Sequence, residues 1–231
     1  MAGLSDYTAE NLLNYIVGKT AVPTLPTAYV ALFTTAPTSD AGTGGTEVSG
    51  GSYARVATTG ANWNAASASS GTEPSVIPCS TSNSSTLTFT TATASWGTVQ
   101  AFGLYDAATS GNLLAWDYIG NYSWLPATMT AASPGVVASK AHGYSNGDPV
   151  VVTTKYGGTL PTLSAGSFNP TLLVASVTTD TFTLTTSGAT ALNTSTTGDF
   201  QVRKIVLQQV PTGVQASFAG GAPGALVITS A

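Results

Sequence analysis

Few residues in this chain could do chemistry, and their spacing decides what that chemistry could be. Histidine occurs once, at His142, and cysteine once, at Cys79. A lone histidine excludes a histidine-based metal cluster within one chain. Its setting, Ala-His-Gly-Tyr-Ser-Asn-Gly-Asp at 141–148, points instead to a side chain that fixes a turn through a backbone hydrogen bond. Cys79 has no histidine or lysine near it in sequence, so it is read as inert, and no intrachain disulfide is possible. Among the ten carboxylates, Asp106, Asp117, Asp148 and Asp180 sit beside Gly, Ala, Asn or Thr, where aspartate caps backbone N–H groups. Asp180 and Asp199 could meet a calcium ion at a subunit interface, but the spaced ligand loop of an EF-hand is missing. A glycosidase would need two carboxylates flanking a sugar. The chain is short for an elongated depolymerising spike and shows neither β-helix repeats nor heptads. The glycine-rich stretches 42–45 and 220–224 lack the lysine of a phosphate loop and read as turns. No catalytic, cofactor-binding or metal-binding residue is assigned, no cofactor is expected, and the chain is read as non-enzymatic.

Two residue sets remain as candidates for contacts. Arg55 is a charge in an otherwise neutral strand, and its guanidinium is expected to bridge loop carbonyls or to pair with Glu47. Trp63, Trp96, Trp116 and Trp124 could stack on sugar rings if exposed, although Trp96 and Trp116 lie in or beside a hairpin and fit a core better.

Composition narrows the function class further. Charged residues make up 7% of the 231, where an ordinary soluble domain has about a quarter. So neutral a surface associates unless a larger assembly covers it. Disorder is the competing reading, and 42% hydrophobic residues with regularly spaced aromatics argue against it. Net charge is −4, and the six lysines and arginines form no cluster beyond Arg203-Lys204, so nucleic acid is not an expected partner. No run reaches the roughly 20 apolar residues of a membrane helix, and the N-terminus lacks the pattern of a secretory signal.

The elements that must position these residues are mostly strands. Val99–Tyr105 and Asn112–Ile119 are apolar on both faces and flank Asp106–Gly111, the chemistry of a short hairpin connection. Thr27–Thr35 is also apolar on both faces and reads as a central strand. One helix is expected near the N-terminus, capped by Ser5 or Asp6, with Ala9, Leu12, Leu13 and Ile16 on one stripe and Gly18 at its C-terminal cap. Its stripe is expected to cover one end of the β core; the alternative is a helix that docks on a neighbouring subunit. Thr46–Trp63 reads as one or two short strands, Ala65–Asn83 as an exposed loop, and Asn121–Met129 as irregular. From Ser133 to Thr197, short strands follow turns such as Asn146-Gly147-Asp148 at regular intervals.

Several segments carry a resemblance. Met-Ala-Gly-Leu-Ser-Asp-Tyr at 1–7, Tyr-Val-Ala-Leu-Phe-Thr-Thr-Ala-Pro-Thr at 29–38, Gly-Thr-Glu-Val-Ser-Gly-Gly-Ser-Tyr-Ala-Arg at 45–55 and the central hairpin are similar to a family of tailed-bacteriophage virion proteins often labelled tail fibre or minor tail protein. The likeness covers about residues 1–118 and, more weakly, the last 25. A second resemblance is to a small β module inserted in phage head and tail proteins, marked here by His142–Val150 and Thr179–Leu184. Apolar alternation resumes at Ile205–Leu207, Val214–Phe218 and Ala225–Thr229, as an insertion requires.

The expected fold is therefore all-β. A β-sandwich or jelly-roll-like host domain, residues 1–130 plus 203–231 with a short N-terminal helix, would carry an inserted small β domain, 131–202. The resemblance implies a structural component of the virion, assembled in the host bacterial cytoplasm. Brevity and the lack of fibrous repeats favour a head decoration (cement) protein that clamps capsid subunits. The alternative is a short tail-fibre or tail-tip subunit whose module meets the host surface through Tyr144, Tyr156 and Phe168, and a carbohydrate-binding module is a third reading. Expected partners are further copies of the chain in three-fold symmetry, other virion proteins such as the major capsid protein or tail proteins, and a host-surface glycan. Neither nucleic acid nor membrane is among them.

Overall fold

A computed structural model describes residues 3–21, 27–37, 44–67, 80–120, 122–168, 171–221 and 226–229. Cys79, Pro74 and Pro78 lie outside the described residues. The chain divides into two compact units, Met1–Asn121 with Leu207–Ala231, and Tyr122–Val206. The breaks fall at 121/122 and 206/207 rather than 130/131 and 202/203. The strands that begin and end the second unit draw the residues between those positions into it.

In the first unit, β1 (Gly3–Leu4) leads into α1 (Asp6–Ile16). Then follow β2 (Ala28–Thr35), β3 (Thr46–Glu47), β4 (Val56–Thr58), β5 (Ser80–Ser82), β6 (Leu87–Thr91), β7 (Gly97–Val99), β8 (Ala101–Tyr105) and β9 (Leu113–Tyr118). One antiparallel sheet has the order β1-β9-β8-β2-β3, with β4 also on β2. Central β2 is apolar on both sides because both faces of the sheet are packed. Val30 and Leu32 join Phe89, Trp96 and Phe102 in the main core, whereas Ala31 and Phe33 lie opposite with Ala101, Tyr105, Trp116 and Tyr118. The predicted hairpin is β8 and β9, from Ala101↔Tyr118 to Tyr105↔Leu113. Its turn is held by Asp106, whose Oδ1 accepts from the Asn112 N–H at 2.7 Å and whose Oδ2 accepts from Asn112 Nδ2 at 2.7 Å. Gly111 takes φ +77°, where a Cβ would stand 2.4 Å from Asp106 Oδ1.

The second unit holds β10 (Leu125–Met129), β11 (Val136–Ala138), β12 (Pro149–Thr159), β13 (Leu163–Ala165), β14 (Leu172–Ala175), β15 (Thr181–Thr185), β16 (Asn193–Thr194) and β17 (Gly198–Lys204). Six of them close into an antiparallel barrel, β10-β11-β15-β14-β12-β17, with β17 pairing back to β10. Inward residues alternate along each strand, so Val137, Val150, Val174, Phe182, Leu184, Phe200 and Val202 fill the interior. The segment read as irregular, Asn121–Met129, contains β10: Ala127 and Met129 are buried while Pro126 and Thr128 face out.

The chain then returns to the first unit. β18 (Gln208–Val210) pairs with β7, β19 (Gln215–Phe218) with β6, and β20 (Val227–Thr229) with β5. Ser80–Ser82, read as the end of an exposed loop, is thus a paired strand. Asn83, the last residue of that expected loop, is fully buried and fastens the C-terminal segment. Its Nδ2 donates to the carbonyls of Ser85 and Ala219, both at 2.9 Å, and its Oδ1 accepts from the Leu226 N–H at 2.7 Å.

Candidate functional site

Arg55 does what its isolation in a neutral stretch suggests. Nε donates to Glu47 Oε1 at 2.9 Å and Nη2 to Oε2 at 2.7 Å, a two-pronged pair that only a planar guanidinium makes. Nη1 reaches over to the hairpin turn and donates to the carbonyls of Ala107 at 2.9 Å and Ser110 at 2.7 Å. The guanidinium carbon stands 3.6 Å from the centre of the Tyr105 ring, and the Tyr53 hydroxyl donates to Glu47 Oε1 at 3.0 Å. Burial opposes the Arg55 charge, but hydrogen bonds and charge from Glu47 outweigh it and raise the pKa above its ordinary value. Burial also pushes the Tyr53 and Tyr105 hydroxyls up. With its fork committed to a carboxylate and two carbonyls, this cluster is a rivet between β3, the approach to β4 and the β8–β9 turn.

The two motifs of the inserted module also bind each other. His142 is buried, and its Nδ1 accepts from the Tyr144 N–H at 3.0 Å, fixing the bend in which Gly143 takes φ +67°. Its ring packs edge-on to Phe182 at 4.9 Å. Asp148 Oδ2 accepts from the Ser145 N–H at 2.9 Å across the Asn146-Gly147 turn, and Oδ1 pairs with Lys204 Nζ at 2.7 Å. Asn146 Oδ1 accepts from the Val177 N–H at 3.1 Å, while Asp180 Oδ1 accepts from the Ala141 N–H at 2.8 Å. Each motif therefore caps a backbone N–H just outside the other. Tyr144, expected to read a receptor, is a core residue at 8% exposure, and burial pushes its hydroxyl up to about 12. The side chain of Tyr156 lies outside the described residues, and Phe168 packs against the barrel core.

An open groove of ≈ 440 Å³ on the barrel gathers Asp180 and Asp199 with Lys140, and its walls include Thr128, Ser139 and Thr181. Sequence alone paired the two aspartates as calcium candidates; what the fold adds is an ammonium and three hydroxyls. Among the described residues, no group of three or more His, Cys, Asp or Glu could hold a metal ion. Several of these groups are engaged within the barrel: Ser139 Oγ donates to the Pro126 carbonyl at 2.9 Å, Thr181 Oγ1 shares a hydrogen bond with Thr178 Oγ1 at 2.8 Å, and Asp180 Oδ1 accepts from the Ala141 N–H at 2.8 Å.

The tryptophans are largely committed. Trp96 is buried and donates from Nε1 to the Gly51 carbonyl at 3.0 Å, and Trp63 donates to Thr58 Oγ1 at 3.2 Å. Half-buried Trp116 packs edge-on to Tyr118 at 5.5 Å, and Trp124 lies 5.7 Å from the Arg203 guanidinium.

The helix departs from its expected role. Ser5 caps it, accepting from the Thr8 N–H at 3.3 Å, and bonds from Gly18 N–H to Tyr15 O at 3.0 Å and Lys19 N–H to Asn14 O at 2.8 Å close its end. Yet none of its residues is buried. It lies along β9 with Thr8, Ala9, Asn11 and Asn14 partly covered, while Leu13 and Ile16 are 62% and 65% exposed. The apolar stripe covers no part of the unit's core.

Comparison with known families places a chain with these features among bacteriophage structural proteins. It belongs to the family described as Podophage GP4 fiber I protein gp80, whose model matches residues 3–123, just over half of the 231. The match ends as the barrel begins. No curated protein matches the chain.

Proposed function

We propose that this chain is a non-enzymatic fibre-type subunit on the exterior of a phage particle, held by its first unit and presenting the barrel to the host surface. The observation that carries the reading is the division of the chain: residues 3–123 match a family described as a fibre protein, and the barrel that follows is a separate compact unit with an open groove lined in part by Lys140, Asp180 and Asp199. In this reading its partners are other tail proteins and a host-surface glycan, and its place is the virion. A second reading, a head decoration protein on the major capsid protein, draws on the two compact units and the neutral surface, which suit a broad contact with a shell. Gold label on an engineered C-terminal tag, counted in intact particles by electron microscopy, separates them. A few copies confined to the tail support the fibre subunit, and hundreds spread over the head overturn it in favour of decoration.

A further inference from the structure

Asn146 is followed by glycine, as no other asparagine of this chain is. That pairing carries chemistry of its own. A glycine nitrogen, with no Cβ beside it to hold it off, can close on the side-chain amide of the asparagine before it. The Gly147 nitrogen gives its proton to water and bonds to Asn146 Cγ, the Cγ–Nδ2 bond breaks, and ammonia leaves. Water then opens the succinimide ring at either carbonyl, so asparagine and water become aspartate or isoaspartate and ammonia. Isoaspartate routes the main chain through the side chain and lengthens it by a methylene.

The folded barrel engages both reacting groups elsewhere. Gly147 takes φ +89° at the third position of a turn that the Asp148 N–H closes onto the Ser145 carbonyl at 3.1 Å. The Gly147 N–H donates to the Val174 carbonyl at 2.8 Å, so the nitrogen that must attack is tied to β14. The amide that must receive it is tied as well, because Asn146 Oδ1 accepts from the Val177 N–H at 3.1 Å. Ser145, Asn146 and Gly147 are all exposed, so water reaches the site as soon as these bonds open. The Val174 N–H in turn donates to the Asp148 carbonyl at 3.0 Å. These backbone bonds continue the β12–β14 ladder, whose own register pairs are Pro149↔Leu173 and Val150↔Leu172. The seam is short, and the turn is a large part of it. A methylene inserted between residues 146 and 147 carries Gly147 and Asp148 out of line with Val174. We infer that Asn146 is a modification site gated by this seam: it converts to isoaspartate when β12 and β14 part, and the product keeps them from closing again.

Peptide mapping of the full chain, aged at mildly alkaline pH either folded in buffer or unfolded in urea, tests this, with isoaspartate read by enzymatic methylation. In the unfolded chain Asn146 is expected to convert ahead of every other asparagine. In the folded chain it should convert roughly thirtyfold more slowly, the factor that two net hydrogen bonds supply. Asp148→Ala removes the bond to the Ser145 N–H and the pair with Lys204, and should speed the folded reaction several-fold while leaving the unfolded one unchanged. The wild-type ratio of folded to unfolded rates stands as a test whether or not that variant folds. After refolding, the isoaspartate form should lose hydrogen-exchange protection at the Val174 N–H. Asn146→Asp, which keeps an acceptor for the Val177 N–H and adds no methylene, should retain it. Equal rates folded and unfolded, another asparagine ahead of Asn146, a folded Asp148→Ala chain that ages no faster, or Val174 protection that survives isoaspartate would each overturn the inference.

Discussion

Replacing Arg55 with alanine removes four hydrogen bonds at once, to both oxygens of Glu47 and to the carbonyls of Ala107 and Ser110, together with the stack on Tyr105. Hydrogen bonds from a charged donor contribute about 1.5 kcal/mol or more apiece, so simple addition would reach about 6 kcal/mol. That overstates the loss. The Arg55 side chain is 7% exposed but Glu47 is 26% exposed, so the stranded carboxylate recovers part of its hydration, as do the turn carbonyls. A cost of about 3 kcal/mol follows, at the low end for breaking a buried pair from one side. For a unit of this size that corresponds to a melting temperature lower by about 6–12 °C. Tryptophan fluorescence is a selective assay, because Trp63, Trp96 and Trp116 belong to the first unit and only Trp124 to the second. Arg55→Lys keeps the charge but loses the fork and the stack, and is expected to recover less than half of the deficit. A loss under about 1 kcal/mol, the range of an exposed ion pair, would refute the idea that this cluster rivets the hairpin turn. So would a lysine variant as stable as the wild type.

Three further expectations follow from the same geometry. Asn83→Ala leaves the Leu226 N–H and the Ala219 carbonyl without their partner and should cost about 3 kcal/mol, seen as lost hydrogen-exchange protection at Leu226 while Phe102 stays protected. Tyr144 ties barrel stability to alkaline pH. Below its ordinary value of 10.0 the hydroxyl is neutral folded and unfolded; between 10 and about 12 only the unfolded chain ionises, so stability should fall by roughly 1.4 kcal/mol per pH unit. Melting curves of Tyr144→Phe should lack that share of the decline, and equal slopes would sink the assignment. Residues 122–206 expressed alone should fold to a cooperative barrel with dispersed amide resonances, whereas a collapsed spectrum would show that closure depends on the first unit.

The features legible in the sequence were those whose chemistry is local. The β8–β9 hairpin announced itself through Asp106 and Gly111, the buried β2 through apolar residues on both faces, and the role of Arg55 through its isolation in a neutral stretch. Long-range partners were not written there. Asn83 sits in a run of serines and threonines, and nothing nearby signals that residues beyond 218 will bond to it. Barrel closure depends on β10 finding β17 some seventy positions away, and the alternation of Leu125–Met129 is too short and too interrupted by Pro126 to advertise a strand. Tyr144 looked available because tyrosines in turns often are, but its ring faces Phe182 and the core. Periodicity located the apolar stripe of α1 without saying which way it faces, since a helix that buries its stripe and one that presents it obey the same spacing. The candidate groove was half visible: Asp180 and Asp199 stood out, but Thr128 on β10, Thr181 on β15, and Ser139 and Lys140 just past β11 come together only in the closed barrel.

The pairing of β10 with β17 has a consequence for how such a chain can change over time. Leu125 lies opposite Val202, so the first and last strands of the barrel are hydrogen-bonded neighbours, about 5 Å apart. A folded cassette built this way asks almost nothing of its carrier: two chain ends one strand spacing apart, which any surface hairpin supplies. It can be gained, lost or traded whole without shifting the register of a single ladder in the carrier. The barrel can thus be exchanged while the first unit keeps its own strand pairings.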